Sequence, residues 1–355
     1  MVIFPFQKRV ASKNCPVIKI WNDLNFYKKI FITQGFYHLS SIEEVKIELV
    51  PFEYFFQKGA PAQISHPYFN YKNILIFEVL IQDKSVKIAY DTNDLYYKIP
   101  NDILGWSDLY FKSNYQYQYL KTGKLLSGDY WDNLRFRPEC LPEPIDTSQS
   151  HKILPCSFCM ELFPNVRKNR RFIQKWTGGW LKSPMKKKGD SLFFLGRWWG
   201  DTRIMTQHLF EQISKLNLKV NGGIVKADSI IPNGYERYEH KAVSIEKWVA
   251  MCCQSKISAM TRGLDGCMSF KALNYLMLGS PFIGAEAKTN FWQPILPGVN
   301  YICVKDDFSD LEQVLGKCED SFLLEMGQKN LEHWQKYISP EATARYILKE
   351  AQRIL

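Results

Sequence analysis

The stretch with the clearest chemistry is residues 267–283, Cys-Met-Ser-Phe-Lys-Ala-Leu-Asn-Tyr-Leu-Met-Leu-Gly-Ser-Pro-Phe-Ile. Its apolar residues recur at helical spacing, which predicts a short helix with one broad apolar face. Ser269 is a good N-cap, and Gly279 followed by Pro281 is typical of a helix end. A helix N-terminus attracts anions and Lys271 adds a mobile charge, so the first turn predicts a phosphate site. The alternative is a solvated lysine on an ordinary core helix.

The elements that must position this helix follow from residue 191 onward. The pattern predicts strands at 191–196, 218–224, 257–260, 281–285 and 301–304, and helices at 204–216, 244–255 and 310–315. Strands that alternate with helices in this way favour a parallel sheet with right-handed crossovers. A last helix at 340–355 is placed to fold back over the junction with the first half.

The first half of the chain is predicted to mix strands and short helices. Strands are expected at 17–21, 45–50, 73–82, 85–91 and 106–113, and helices at 23–33 and 114–121. A polar run, residues 91–94, follows one strand immediately at its carboxyl end. Ligands bind at that end of the strands in open α/β sheets, so this run is a second candidate site.

Composition places the chain among globular proteins. Its 355 residues are 46% hydrophobic and 15% aromatic, which is enough for two domains with sizeable cores. We find no uncharged apolar run that approaches membrane-spanning length and no signal-peptide core, which predicts a soluble, cytoplasmic protein. Nine scattered cysteines indicate reduced thiols. The lone C-x-x-C at Cys156 and Cys159, with only His151 nearby, is interpreted as structural or incidental rather than as a metal or redox site.

Positive charge is concentrated in one segment. The net charge is +10, and residues 151–190 hold ten Lys or Arg against Glu161 and Asp190. Aromatic residues are interleaved with these charges, a combination that suits membrane lipid, a lipid-linked diphosphate or nucleic acid. The alternative is a solvated connector with a basic face.

Four segments together resemble the GT-B glycosyltransferases, chiefly the group-1 and exostosin-like sets: residues 193–197, 268–283, 298–307 and 334–348. The resemblance implies an α/β fold of two Rossmann-like domains facing across a cleft, with a C-terminal helix that returns to the N-terminal domain. We expect an acceptor domain at 1–150, the basic connector at 151–190, a donor domain at 191–335 and the closing helix at 336–355.

The resemblance also implies a function and a set of site residues. A nucleotide-sugar donor would bind the C-terminal domain and a glycan or lipid-linked acceptor the N-terminal one, without a bound metal or other cofactor. The donor diphosphate would rest on the first turn formed by Ser269, Phe270 and Lys271, with Arg203 as a further cation. The basic connector would allow peripheral contact with an anionic membrane.

The chain departs from the family pattern in its carboxylates. Many retaining members carry two glutamates where this sequence has Gly266 and Asn274. Asn274 can bind ribose or sugar hydroxyls but cannot act as a carboxylate, and Glu286 is the best carboxylate left for that purpose. An inverting reaction, which we favour, needs a base that deprotonates the acceptor, and the candidates are Asp91 and Asp94, then His66.

Other hypotheses remain open. The basic segment suits a nucleic-acid-binding protein, including a sugar transferase that acts on DNA bases, although no nucleic-acid motif is present. The absence of a glutamate at 274 suits a catalytically silent relative that only binds a nucleotide or glycan. A sugar-nucleotide epimerase of the same fold is a further alternative, whereas a dehydrogenase is disfavoured because we find no G-x-G-x-x-G.

Overall fold

The chain folds into two compact units. The computed structural model describes residues 15–21, 27–62, 73–93, 95–124, 145–157, 189–198, 202–225, 231, 233–263 and 266–355. The first unit comprises Met1–Leu126, Pro142–Ile173 and Tyr337–Leu355, and the second comprises Ser127–Leu141 and Gln174–Lys336. Each unit contains one six-stranded sheet flanked by helices. The predicted α/β class with two Rossmann-like units is therefore confirmed.

The strands and helices are numbered here in chain order. The strands are β1 (Val17–Trp21), β2 (Lys46–Val50), β3 (Ile74–Ile81), β4 (Lys84–Asp91), β5 (Leu109–Lys112), β6 (Ile153–Pro155), β7 (Leu192–Arg197), β8 (Val220–Val225), β9 (Glu239–His240), β10 (Ile257–Met260), β11 (Phe282–Ala285) and β12 (Ile302–Val304). The α-helices are α1 (Tyr27–Ser41), α2 (Phe52–Phe56), α3 (Asn101–Trp106), α4 (Tyr117–Thr122), α5 (Thr202–Lys215), α6 (Ile245–Cys253), α7 (Phe270–Met277), α8 (Leu311–Gly316), α9 (Asp320–His333) and α10 (Pro340–Arg353).

The first sheet is mixed. Its strand order is β2-β1-β3-β4-β5-β6, and β3 runs antiparallel to both of its neighbours while the other pairs are parallel. The carboxyl ends of β1, β2, β4, β5 and β6 therefore meet at one edge. The nearly continuous apolar sequence of β3 follows from this central position, because both faces of the strand are covered.

Three local predictions for the first unit need correction. The segment predicted as a strand at 106–113 begins as the end of α3, and only Leu109–Lys112 is extended. The connection between β3 and β4 is Gln82-Asp83, one residue earlier than predicted, and Gln82 adopts φ 56° there. The helix predicted at 23–33 is described only from Tyr27 and continues to Ser41.

The second sheet is parallel throughout. Its order is β12-β11-β10-β7-β8-β9, and every adjacent pair runs in the same direction. This confirms the parallel sheet predicted from the strand–helix alternation. The short edge strand β9 was not predicted, because two residues give no periodic signal. One core cluster lies between this sheet and helices α5 and α8, and includes Phe194, Leu209, Phe210, Ile213, Ile283 and Leu311.

The last helix belongs to the first unit, as predicted. Helix α10 packs against α1, and its apolar residues Ala344, Ile347, Leu348 and Ala351 join the core beneath β1, β3 and β4. The Ser339 hydroxyl caps the helix by accepting the N–H of Ala342, and Pro340 occupies the first turn. The two helices cross closely at Gly35, where a Cβ would lie 1.9 Å from the Pro340 carbonyl oxygen. No described helix is long and apolar enough to cross a membrane.

The imidazole of His333, at the end of α9, should make the stability of the second unit sensitive to acid. Burial lowers the pKa of its imidazole to about 4, from an ordinary value of 6.5. The unfolded chain therefore takes up a proton before the folded chain does, and this group's contribution to stability falls as the pH drops from about 6.5 through 4. We expect His333→Gln to remove a pH-dependent term of about 1–3 kcal/mol from the unfolding free energy in that window.

Urea denaturation of the wild type and of His333→Gln at several pH values between 4 and 7 measures this term. An identical slope of unfolding free energy against pH in the two proteins would contradict the assignment to His333.

Candidate functional site

The topology of the second sheet has a switch point between β7 and β10. Strand β7 continues through α5 to β8 on one side, whereas β10 continues through α7 to β11 on the other. The chain thus leaves these two adjacent strands in opposite directions, and helices that follow parallel strands begin at the carboxyl edge. Ligands of open α/β sheets bind in the crevice that such a switch point creates.

Helix α7 begins at this edge with the predicted cap. The Ser269 hydroxyl accepts the N–H of Lys271 at 3.4 Å, and the first turn contains no acidic residue. At the other end Gly279 adopts φ 58°, the left-handed conformation that closes many helices. Ser269 is buried and Phe270 is half-buried. The N-terminal dipole of α7 is thus left without a protein carboxylate in its own first turn.

Lys271 reaches from this turn to the end of β7. Its Nζ lies 4.9 Å from the centroid of the Phe194 ring, within cation–π range. A Cβ on Gly196 would lie 2.9 Å from that Nζ and 2.7 Å from the Phe194 Cζ. Glycine at 196 therefore leaves the space in which the ammonium sits. A residue of the loop–helix after β10 thus places positive charge over the neighbouring strand β7, at the switch point.

A side chain at position 196 should weaken ligand binding at this edge of the sheet. We expect Gly196→Ala to displace the Lys271 ammonium, which is the movable end of a flexible side chain. If the site binds a nucleoside diphosphate, as the resemblance implies, the affinity for it should fall about tenfold. The matched control is Gly316→Ala, where the added Cβ meets nothing within 4 Å. Isothermal titration of both variants measures the effect, and wild-type affinity in Gly196→Ala would show that the ammonium position is irrelevant.

Asn274 lies one turn further along the same face of α7. The Tyr275 hydroxyl donates to the Ala259 carbonyl of β10 at 3.1 Å, so this face of the helix is turned toward the sheet. Asn274 is only 3% exposed, and its Oδ1 finds no hydrogen-bond partner among the described residues. An unpaired buried amide oxygen costs about 1–3 kcal/mol, which a ligand hydroxyl would recover.

The segment that leads into α7 is tied to the segment after β11, a contact set that sequence reasoning missed. The Met268 N–H donates to the Thr289 Oγ1 at 3.2 Å, and the Lys288 N–H donates to the Gly266 carbonyl at 2.9 Å. The buried Arg262 guanidinium binds Asp306 and lies 3.5 Å from the Glu286 carbonyl. These contacts fix the entry to α7 before any ligand arrives, which is preorganisation of the site.

Two further predicted residues occupy this unit. Arg203 is exposed and lies in the first turn of α5. This helix begins at Thr202, two residues before the predicted start at 204, so Arg203 is helical. Glu286 directly follows β11 and is exposed. Strands β7 and β11 flank β10, so the helix and the loop that carry these two residues start at the same edge as α7. Among the described residues no group of three or more His, Cys, Asp and Glu could hold a metal ion.

Asp91 in the first unit belongs to a buried ion pair. Its Oδ2 accepts the Lys112 Nζ at 2.8 Å and the Tyr110 hydroxyl at 2.6 Å, and its Oδ1 accepts the Asn93 N–H at 2.7 Å. Asp91 is 0% exposed. Burial, with the Asp91 carboxylate beside it, raises the pKa of Tyr110 well above its usual value. This geometry favours a structural role for Asp91, because both of its oxygens already accept hydrogen bonds from other groups of the protein.

Lys112 also organises the chain after β4. Its ammonium donates to the Asn93 carbonyl at 3.1 Å and to the Lys98 carbonyl at 3.3 Å. These contacts hold the segment that begins with the predicted polar run. Asn93 itself is buried, and its Nδ2 has no partner within the described part of the chain. The carboxyl edge of the first sheet is thus polar and ordered by Lys112.

Several predicted residues lie outside the described residues. These are Asp94, His66, Cys159 and most of the basic segment 151–190. Cys156 is described, and burial raises the pKa of its thiol well above the usual value, which suits a structural thiol.

No family model and no curated protein matches this sequence. The structure is similar to a glycosyltransferase from Rickettsia africae ESF-5, with 10% identity over 72% of this chain and 73% of that chain, at a TM-score of 0.39. It is also similar to AviGT4, a glycosyltransferase involved in avilamycin A biosynthesis, with 14% identity, coverage of 72% and 78%, and a TM-score of 0.35.

A third similar structure is the wall teichoic acid polymerase TagF, with 13% identity, coverage of 72% of this chain and 61% of that chain, and a TM-score of 0.30. The identities and TM-scores are all low. We therefore assign neither an activity nor a site residue to this chain from any of the three.

Proposed function

We propose that this protein is a glycosyltransferase that takes a nucleotide-sugar as donor and binds its diphosphate at the N-terminus of α7. The observation that carries the proposal is the position of Lys271, whose ammonium lies over β7 at the switch point of an all-parallel sheet. The motif resemblance of residues 193–197 and 268–283 to GT-B glycosyltransferases supports the same assignment. No metal or other cofactor is part of the proposal.

The proposed chemistry is stabilisation of the leaving group. When the bond between the sugar and the diphosphate breaks, negative charge grows on the phosphate oxygens. The Lys271 ammonium and the first N–H groups of α7 face that charge without having to reorganise, because the contacts of Thr289 and Arg262 already fix the approach to the helix. Asn274 Oδ1 supplies an acceptor for a hydroxyl of the donor, and Glu286 supplies a carboxylate at the same edge.

The acceptor is a hydroxyl compound, which we place with the first unit as the resemblance implies. Its carboxyl edge carries the polar segment that Lys112 holds. Because the Asp91 carboxylate is already paired with Lys112, we propose Asp94 or His66 as the base that an inverting reaction needs. A glycan or a lipid-linked acceptor, and docking of residues 151–190 on an anionic membrane, are part of the same proposal.

Thermal-shift measurements with UDP, GDP, CMP and dTDP test the donor class. A nucleotide present at 100 times its dissociation constant stabilises the folded protein by about 2.7 kcal/mol, a shift of several degrees for a unit of this size. We expect at least one nucleoside diphosphate to produce such a shift. The absence of a shift with all four would refute the proposed donor site.

A catalytically silent relative is the second candidate, favoured by the asparagine at 274. Tight nucleotide binding without hydrolysis or transfer from any of a panel of nucleotide-sugars would select it over the transferase.

A further inference from the structure

Helix α5 carries a buried hydroxyl that the proposed function has not used. Phe210 of α5 packs edge-on against Phe194 of β7, with ring centroids 5.5 Å apart. Thr206 precedes Phe210 by four residues and therefore lies on the same face of the helix, one turn nearer its N-terminus. Because α5 runs back along the sheet from the carboxyl end of β7, this turn lies toward Gly196 at the end of the strand.

Among the residues that the structure describes, the Thr206 hydroxyl has no hydrogen-bond partner that accounts for its burial. The residue is 1% exposed, and its Oγ1 makes no hydrogen bond within the described part of the chain. Helical threonines commonly donate to the carbonyl of a residue three or four positions earlier, and Thr206 does not. Buried polar groups are almost always paired in folded proteins, so this hydroxyl calls for a partner that the described residues do not supply.

The surroundings of this hydroxyl favour an anionic partner. The Phe194 ring is contacted both by Phe210 of α5 and by the Lys271 ammonium of α7, so side chains of these two helices meet at the end of β7. The absence of a side chain at Gly196 lets the ammonium lie against the end of β7, since a Cβ there would lie 2.7 Å from the Phe194 Cζ and 2.9 Å from the Lys271 Nζ. A neutral hydroxyl donor beside an ammonium and a helix N-terminus suits a group with several acceptor oxygens and negative charge.

We propose that Thr206 is a second binding residue of this site, whose hydroxyl donates to a non-bridging phosphate oxygen of the diphosphate on the side away from α7. The inference rests on the proposed function and extends it: the two phosphates are held between Lys271 of α7 and Thr206 of α5. A nucleoside diphosphate makes both contacts, whereas a monophosphate makes only one.

The test separates binding from folding. The Thr206 hydroxyl makes no hydrogen bond with the described residues, so its removal should not lower the stability of the folded protein. Thr206→Val keeps the shape and removes the donor, and Thr206→Ser keeps the donor. We expect Thr206→Val to melt at or above the wild-type temperature and to bind UDP, GDP or dTDP about tenfold more weakly, whichever of them the wild type binds. Thr206→Ser should bind within about threefold of the wild type.

Thr343→Val is the matched control. The Thr343 hydroxyl is also buried but donates to the Ile338 carbonyl at 3.1 Å, so this variant should melt earlier and leave nucleotide affinity unchanged. Wild-type affinity in Thr206→Val, together with a loss in Lys271→Met, would overturn the Thr206 contact alone and assign its hydroxyl to an internal water. Failure of the wild type to bind any of the three nucleotides would overturn the proposed function and the Thr206 contact with it.

Discussion

Replacing Lys271 by methionine should lower the rate of donor cleavage about 100- to 1000-fold, with transfer or hydrolysis of the nucleotide-sugar as the readout. The substitution approximately keeps the length of the side chain and replaces the ammonium over the Phe194 ring by an uncharged thioether, which can also pack on an aromatic ring. That charge lies where the diphosphate leaving group becomes more negative, so its loss raises the barrier more than it weakens binding of the donor. The decrease should therefore appear mainly in kcat.

Lys247→Met is the matched control for this experiment. Lys247 also lies in the first turn of a helix capped by a serine, Ser244, but it is exposed and is not placed over β7. We expect this variant to retain wild-type turnover. Equal turnover in Lys271→Met and Lys247→Met would mean that Lys271 is an ordinary solvated lysine.

Breaking the buried ion pair of the first unit should have the largest effect on stability. Lys112→Met leaves the Asp91 carboxylate at 0% exposure without its cation, and it leaves the Asn93 and Lys98 carbonyls without their donor. Removing one partner of a buried pair costs about 3–5 kcal/mol. We expect a loss of that size in the unfolding free energy of the first unit, measured by hydrogen exchange of residues 84–112 in increasing denaturant.

Two comparisons identify the cause of this loss. The double variant Asp91→Leu/Lys112→Met removes both charges and should lose less than the sum of the two single variants. Arg345→Met breaks contacts with Glu44 and Glu341 at the surface of the same unit, and should cost about 1 kcal/mol or less. A loss in Lys112→Met no larger than that in Arg345→Met would refute the structural role of the buried pair.

The elements of the second unit were predictable because their signals are local. Ser269, Gly279 and Pro281 bracket α7 in the sequence, and the structure places the helix between them. The strand–helix alternation then determines the parallel direction of the sheet. Short elements such as α2 and α3 were missed, because one helical turn contains too few residues for a periodic pattern.

The contacts around the candidate site could be predicted only in part, because most of them join segments that are distant in the sequence. Nothing near Thr206 or Thr289 in the sequence indicates what either hydroxyl faces, since their neighbours at the sheet edge come from other helices and strands. Gly196 offered a signal that could have been used: a glycine that ends a buried strand often marks a close approach of another group.

Asp91 was a candidate base because it follows a strand, and the structure places it in a buried ion pair. An aspartate after a strand looks the same in sequence whether it faces a ligand or the interior. The missing information was the register, in which Asp91 lies directly beside Lys112 of the parallel neighbour. An acidic residue at the end of one predicted strand and a basic residue at the end of the next could have suggested the pair.

The most direct test of the diphosphate site compares a nucleoside diphosphate with its monophosphate in the wild type and in Lys271→Met. Isothermal titration with UDP and UMP, or with the corresponding pair for the base that binds, gives the free energy attributable to the second phosphate in each protein. We predict that the wild type prefers the diphosphate by about tenfold or more and that the preference falls to nearly one in Lys271→Met. An undiminished preference in the variant would contradict the site at α7.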